Sequence, residues 1–479
     1  MNDFVDNIKK VMLVFLILFI VLISYITYSY MFSSEKAVAS TFNKRLWAER
    51  NKVLRGTIYD KDMNALTKST KTGETSQKLQ YLKGEVFAHA IGYMDPKYNL
   101  AGLEKKYDKE LMDSGGSEIS KFVFFSKDNE PKVGNGLRTT LDSKLQKKAF
   151  DLLNGEEVKG RKGAVVALNP KTGEILAMVS KPSYDPNNLD KIMKDMSTNK
   201  EAPLLNRAVS GLYPPGSIFK TITAVSALEN IPGVYNKSFE DNGKLVVNGA
   251  QLLKNYDGEV LGKLDFKSAY VHSSNVFFGS LGIDVGNEAL KETAEKFYFN
   301  KDIKDAGVTM DHSVFPSYKN NEKGNIAQSA IGQSGVLATP MEMALVASTV
   351  ANNGVMMEPM LVKEILDSKG KSLNKIQPKQ LGEVMSKETA STMKDLMKGV
   401  VAEGTGGNAA VSGIVVSGKT GTADHKENSS EQKAAHSWFI GFAPYDNPTI
   451  AVAVIIEEGG VGGGIAAQIT GDLIESYLK

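Results

Sequence analysis

The sequence predicts an α+β protein: an N-terminal transmembrane helix, a small α+β module, and one large domain whose antiparallel sheet is flanked by helices. Three observations carry this. Residues 11–32 contain no charged side chain. Two apolar runs, 164–168 and 175–179, flank the turn Asn169-Pro170-Lys171-Thr172-Gly173, the pattern of a buried hairpin. Three further strand candidates, 413–417, 437–442 and 449–456, come only near the C-terminus. Strands at both ends of a long, mainly helical region imply a single sheet closed by its first and last strands.

Taken in order, residues 1–10 read as a short tail and 11–32 as the membrane helix. At ~1.5 Å per residue the uncharged run extends roughly 33 Å, enough to cross a bilayer core. Ala37-Val38-Ala39 resembles a cleavage site, but the apolar run is longer than that of a signal peptide, so the helix reads as an uncleaved single-pass anchor. Lys9 and Lys10 flank one end, and Lys36, Lys44 and Arg45 the other, so charge alone does not orient it. The large C-terminal mass favours a cytoplasmic tail and an extracytoplasmic remainder. Residues 33–52 read as a stalk and 53–140 as the small α+β module. The large domain, 141–479, opens with a helix capped by Asp142. The hairpin at 163–180 follows, then a helix over 217–230 with Ile218, Ile222, Val225 and Leu228 on one face. The region is expected to be helix and loop up to about residue 410. After the late strands, Gly462-Gly463-Gly464 leads into a last helix over 465–478.

With 479 residues the chain suits two or three domains. Its 42% hydrophobic and 23% charged composition argues against wholesale disorder. A net charge of +2 gives no basic surface for nucleic acid. The absence of cysteine excludes disulfides and thiolate metal sites. The five histidines have no HExxH-type spacing, so neither a metal site nor a cofactor is expected. His436 reads as an ordinary loop histidine.

Chemistry concentrates at Tyr213-Pro214-Pro215-Gly216-Ser217-Ile218-Phe219-Lys220. Two prolines and a glycine stop the chain before an apolar helix, which puts Ser217 near the helix start and Lys220 on the same face three residues on. A serine becomes a nucleophile when a neighbouring base takes its proton, and a lysine serves if burial or a second cation lowers its pKa. Ser-x-x-Lys also occurs at Ser197, Ser372 and Ser391, among others; the context singles out Ser217. Ser273-Ser274-Asn275 offers a hydroxyl that can pass a proton and an amide that can bind a lysine or a substrate amide. Lys419-Thr420-Gly421-Thr422 follows a strand candidate and can hold a carboxylate in a groove. Lys71-Thr72-Gly73 and Lys171-Thr172-Gly173 repeat its first three residues, the latter as the hairpin turn. Residues 413–420 also match the phosphate-binding G-x-x-x-x-G-K-[ST] pattern in full. That reading needs a glycine-rich loop and then a helix, whereas strand formers precede Lys419 and a polar stretch follows it.

In order, Ser217-x-x-Lys220, Ser273-x-Asn275 and Lys419-Thr420-Gly421 form the set found in penicillin-binding proteins and serine β-lactamases. The chain resembles a membrane-anchored class B, transpeptidase-only penicillin-binding protein. Arg55-Gly56-Thr57-Ile58-Tyr59-Asp60, Gly102-Leu103-Glu104 with Tyr107-Asp108, 163–168 and 438–444 carry the resemblance beyond the triad. Ser274 stands where β-lactamases often have aspartate, and Met63 where the pedestal motif usually has glycine. The resemblance implies a pedestal, or dimerisation-like, domain over 53–140 and a serine β-lactamase-like transpeptidase domain over 141–479. The implied activity is a D,D-transpeptidase that cross-links peptidoglycan stem peptides ending in D-Ala-D-Ala, with D-Ala-D-Ala carboxypeptidase activity as a side reaction, and that β-lactams acylate. By the same resemblance Ser217 is the nucleophile, Lys220 its base, Ser273 the proton relay and Asn275 the orienting amide. Lys419, Thr420 and Thr422 bind the terminal carboxylate, with Gly421 allowing close approach. The backbone N–H groups of Ser217 and Thr422 form the oxyanion hole. The implied partners are the stem peptide, β-lactams, the cell membrane and a glycan-strand polymerase. A β-lactamase or β-lactam sensor, and a non-catalytic scaffold of a cell-wall complex, are the alternatives.

Overall fold

A computed structural model describes residues 2–28, 47, 50–113, 132–194, 199–247, 251–303, 307, 309–424 and 434–479. The N-terminal helix runs Asn2–Tyr28, starting ahead of the apolar run. Among the described residues it is the one helix long and apolar enough to cross a membrane. Its apolar side chains, from Val11 to Tyr28, are all exposed, as a lipid-facing surface requires. Residues 29–32 of the expected span, and most of the expected stalk, lie outside the described residues.

The small module is built on strand Ile58–Tyr59, which pairs in parallel with Gly136–Thr139. The latter pairs antiparallel with Val362–Leu366, and that strand with Ser372–Lys375. Chain from the second half therefore completes the module's sheet. A hairpin, Thr67–Gly73 and Ser76–Tyr81, packs beside it. The two motif stretches at 55–60 and 102–108 meet in a buried ion cluster. Arg55 donates to the Glu104 carboxylate, to Glu104 O at 2.6 Å and to Asp108 Oδ1 at 2.8 Å; Arg50 also pairs with Asp108. Arg55 and Glu104 are fully buried. Removing one partner of such a pair strands the other charge, so Arg55→Ala is expected to destabilise by about 3–5 kcal/mol. A clear fall in the melting temperature of the detergent-solubilised protein checks this.

The large domain is organised by five strands: β1 (Gly163–Leu168), β2 (Ile175–Lys181), β3 (Ser417–Ala423), β4 (His436–Ala443) and β5 (Ile450–Ile456). Their order is β3-β4-β5-β1-β2, antiparallel throughout, so first and last strands close one sheet as expected. Side chains alternate between faces. Val165, Ala167, Val452 and Val454 pack on α1 (Ser143–Leu153) and the C-terminal helix. Ala164, Val166, Ala453 and Ile440 pack on the opposite face with Met341 and Leu345. Both faces are covered, which is why these strands read as continuous apolar runs. The other helices that matter for the site are α2 (Lys220–Asn230), α3 (Asn275–Val285), α4 (Pro340–Ala351), α5 (Lys387–Ala402) and α6 (Ile465–Leu478).

Three local expectations change. Ser217 lies in a 3-10 turn, Gly216–Phe219, and α2 itself begins at Lys220. The strand expected at 413–417 instead runs Ser417–Ala423, because β4 pairs from Phe442 back to His436 with those residues, while Val411 and Ile414 close a tight turn ahead of it. Lys419-Thr420-Gly421-Thr422 therefore lies inside an edge strand, which removes the phosphate-loop reading. The stretch expected to be helix and loop also holds short strands at Phe239–Asp241, Lys244–Val247, Gln251–Lys254 and Gly262–Leu264. These are too short to set up a visible period of two.

Candidate active site

The turn carrying Ser217 is pinned from several sides. Tyr213 exchanges backbone hydrogen bonds with Ala338, and Gly216 N donates to Gly332 O at 3.0 Å. Trp438 Nε1, from β4, donates to Pro214 O at 3.0 Å. The Tyr213 hydroxyl donates to Glu457 Oε1 at 2.8 Å, where Arg207 Nε also donates at 2.7 Å. Gly216 has φ +57°, and a Cβ there would stand 2.7 Å from Thr422 O; glycine is what lets the turn lie against β3. Gly421 approaches from the other side, where a Cβ would meet Ile218 at 2.9 Å and Pro215 O at 3.0 Å. The 3-10 turn leaves Ser217 half-buried at the surface, and Lys220, at the start of α2, fully buried beneath it.

Ser273-Ser274-Asn275 reaches the same point from a break between helices. Helix Phe266–Val271 ends, Ser273 takes a left-handed backbone (φ +59°), and Ser274 caps α3 by accepting from Phe277 N at 2.9 Å. Lys220 Nζ then contacts Ser273 O at 2.7 Å, Ser273 Oγ at 3.1 Å and Asn275 Oδ1 at 2.7 Å. Lys419 Nζ donates to the same Ser273 Oγ at 2.9 Å and to Thr420 O at 3.2 Å. One hydroxyl thus stands between two lysine nitrogens. The Phe278 and Tyr270 rings cover Lys220 and Lys419 at 5.9 and 5.6 Å.

Burial dominates the electrostatics. It holds the Lys220 amine well below the ordinary lysine range; the Lys419 charge lowers it further, and Asp241 opposes. Burial pushes Lys419 down to about 7. Each ammonium repels the other, so the pair resists holding both charges at once. A neutral Lys220 has two N–H groups and one lone pair. Ser273 O and Asn275 Oδ1, which can only accept, take the N–H groups, and the lone pair is left for a hydroxyl proton.

A groove of about 780 Å³ opens above these groups, lined by Ser217, Ser273, Asn275, Thr420 and Thr422 and walled by Asn255, Tyr256, Thr405 and Asn408. It follows the outer side of β3, the edge strand. The Thr422 carbonyl faces Gly216, and in an antiparallel strand a residue's N–H and C=O leave on the same side. The Thr422 N–H therefore also points from the free edge towards the Ser217 turn. The Thr405 and Thr420 hydroxyls touch at 2.6 Å, and Thr422 Oγ1 accepts from Gly462 N at 3.1 Å.

The structure brings together Ser217, Lys220, Ser273, Asn275, Lys419, Thr420 and Thr422; Gly421 packs beneath the Ser217 turn instead of lining the groove. Lys71-Thr72-Gly73 ends a strand of the small module, and Lys171-Thr172-Gly173 is the hairpin turn. His436 is no loop residue: it begins β4, buried edge-on against Tyr213 at 5.6 Å. Sequence reading missed Asn255, Thr405 and Asp241. Each stands among other polar or turn-forming residues of a short strand or loop, so nothing in the sequence singles it out. Trp438 lies in an expected strand, and its indole bond to Pro214 has no sequence signal.

Residues 163–475 match the penicillin binding protein transpeptidase domain, and residues 55–137 the penicillin binding protein A dimerisation domain. The peptidoglycan D,D-transpeptidase PbpA of Mycolicibacterium smegmatis is 30% identical over 494 residues, covering 99% of each chain. A D,D-transpeptidase domain structure from Eggerthella lenta has a TM-score of 0.79 at 33% identity, covering 89% of this chain and 98% of that one. The penicillin G acyl-enzyme of penicillin-binding protein A from M. tuberculosis has a TM-score of 0.81 at 30% identity, covering 89% of this chain and all of that one. On the fold, the convergent motifs and a family match over most of its length, the chain belongs to the penicillin-binding protein transpeptidases, as a class B member.

Proposed function

We infer that this chain is a peptidoglycan D,D-transpeptidase working through an acyl-enzyme on Ser217. The observation that carries the reading is the Lys220 amine, buried one turn behind Ser217 and held between Ser273 and Asn275. The Ser217 oxygen attacks the carbonyl of the penultimate D-Ala of a stem peptide, and its proton passes to the Lys220 lone pair. The oxyanion accepts hydrogen bonds from the Ser217 and Thr422 N–H groups. As the C–N bond breaks, a proton moves from Lys220 through the Ser273 hydroxyl to the leaving D-Ala nitrogen. Lys419, Thr420 and Thr422 hold the terminal carboxylate, and Asn275 aligns Lys220 and the substrate amide. An amine of a second stem peptide then attacks the ester carbonyl, gives its proton to Lys220 and restores Ser217. A β-lactam follows the first half of this path and stays bound as the ester. The helix at 6–28 anchors the protein in the cell membrane, with residues 53–140 as a pedestal and 141–479 as the transpeptidase domain. The catalytic domain lies on the extracytoplasmic side, where stem peptides and a glycan-strand polymerase partner are found.

Mixing a D-Ala-D-Ala stem peptide with an acceptor amine is expected to release D-Ala and yield the cross-linked product, with both lost in Ser217→Ala. Rapid hydrolysis of penicillin G would instead favour a β-lactamase. The pH profile follows from the two lysines. Lys220 must be neutral, so kcat/KM falls on the acid side; Lys419 must be charged to bind a carboxylate, so it falls on the alkaline side, with a midpoint near 7 in the free enzyme. A donor lacking the terminal carboxylate is expected to lose the alkaline limb and keep the acid one.

A further inference from the structure

Behind the Ser273-Ser274-Asn275 turn sits a carboxylate that takes no part in the chemistry above. Asp241 ends the strand Phe239–Asp241 and is fully buried. Its oxygens accept from the Ser274 hydroxyl at 2.6 Å, from Asn255 Nδ2 at 2.9 Å to each oxygen, and from Gly243 N at 2.8 Å. Asn255 presents its other end to α3: Oδ1 accepts from Asn275 N at 2.8 Å and Val276 N at 3.1 Å. These are among the N–H groups a helix start leaves unpaired. Ser274 itself takes the next, from Phe277.

One carboxylate thus braces the start of α3 twice, through Ser274 and through Asn255. Ser273 needs that brace. Its left-handed backbone is uncommon for serine and persists only where the surroundings over-determine it. Three atoms that touch Lys220, namely Ser273 O, Ser273 Oγ and Asn275 Oδ1, hang from this braced segment, and Ser273 Oγ touches Lys419 as well. The charged groups facing Lys220 are Lys419, from β3, and Asp241; Tyr270, on helix Phe266–Val271, turns its ring to Lys419. Among these Asp241 is the one anion, and it favours the protonated form of Lys220 against the burial and the Lys419 charge that oppose it.

We propose that Asp241, acting through Ser274 and Asn255, is a positioning residue for acylation: it fixes Ser273 Oγ between the two lysine nitrogens and Asn275 Oδ1 on Lys220. The proposal rests on the acyl-enzyme reading above, and its test separates the two. The full-length detergent-solubilised protein is labelled with fluorescent penicillin as a function of pH, and the endpoint counts competent sites so that rates are per folded molecule. Asp241→Asn is expected to slow acylation about 10²-fold with initial binding unchanged. Its acid limb should move to lower pH, because Lys220 loses the anion that favours its protonated form. Asp241→Ser should lose more, and the exchange Asp241→Ser with Ser274→Asp, which again sets a hydroxyl against a carboxylate, should recover most of the rate. Ser274→Ala, which keeps the charge, should slow acylation without moving the limb. Wild-type rates and an unmoved limb in Asp241→Asn would overturn the proposal while leaving Ser217 as the acylated residue. So would a loss confined to the endpoint, which marks a purely structural role.

Discussion

Lys220→Met is expected to slow acylation of Ser217 by roughly three to four orders of magnitude, with the first, non-covalent binding of a β-lactam nearly unchanged. Lys220 lies under the groove rather than in its wall, since the lining includes Ser217, Ser273 and Asn275 but not Lys220. Its removal therefore spares the surface that binds and takes away the amine proposed as the base. Lys220→Arg should fail as badly, because a guanidinium does not give up its proton and cannot fit where an amine meets Ser273 O and Asn275 Oδ1 at 2.7 Å. A stopped-flow series with a chromogenic cephalosporin separates the two steps. Acylation within tenfold of wild type in both variants would mean that another group takes the Ser217 proton.

The second large effect has opposite signs for stability and activity. Lys419 is fully buried, and burial lowers it from 10.5 to about 7. A lysine lowered on folding binds its proton more weakly in the folded chain than in the unfolded one. Its cost is fully present below pH 7, fades as pH rises towards the unfolded value, and amounts to on the order of 4–5 kcal/mol. Lys419→Met removes that cost and also the bonds to Ser273 Oγ and Thr420 O. We expect a net gain of about 2 kcal/mol at neutral pH, read as a higher melting temperature. The wild type should gain on the variant between pH 7 and about 10. Acylation by carboxylate-bearing donors should fall by at least about 10²-fold. A destabilised Lys419→Met would mean that its hydrogen bonds outweigh its desolvation.

The parts of the fold and of the site that are legible in the sequence are those with a pattern. The hairpin at 163–180 and the late strands announced the sheet because both faces are buried, which gives unbroken apolar runs. The three motifs announced the site because each places two reactive groups at a fixed short spacing. What stayed hidden depends on contacts across the chain. Ser217 sits in a 3-10 turn because Gly332, Trp438 and β3 press on it, and none of these is near it in sequence. The motif strand runs 417–423 rather than 413–417 because pairing with β4, not the apolarity of Ile414-Val415-Val416, decides where it starts. The brace on α3 joins Asp241 and Asn255, each unremarkable in its own short segment. The small module's sheet borrows Val362–Leu366, a long-range pairing that local pattern does not reveal.

We propose Ser217 as the residue that carries the acyl group. Incubating the protein with penicillin G and mapping the adduct by mass spectrometry, beside Ser217→Ala, tests it most directly. One stable adduct is expected on the peptide carrying Ser217, absent from the variant. A folded protein that forms no adduct, or one whose adduct survives in Ser217→Ala, would contradict it.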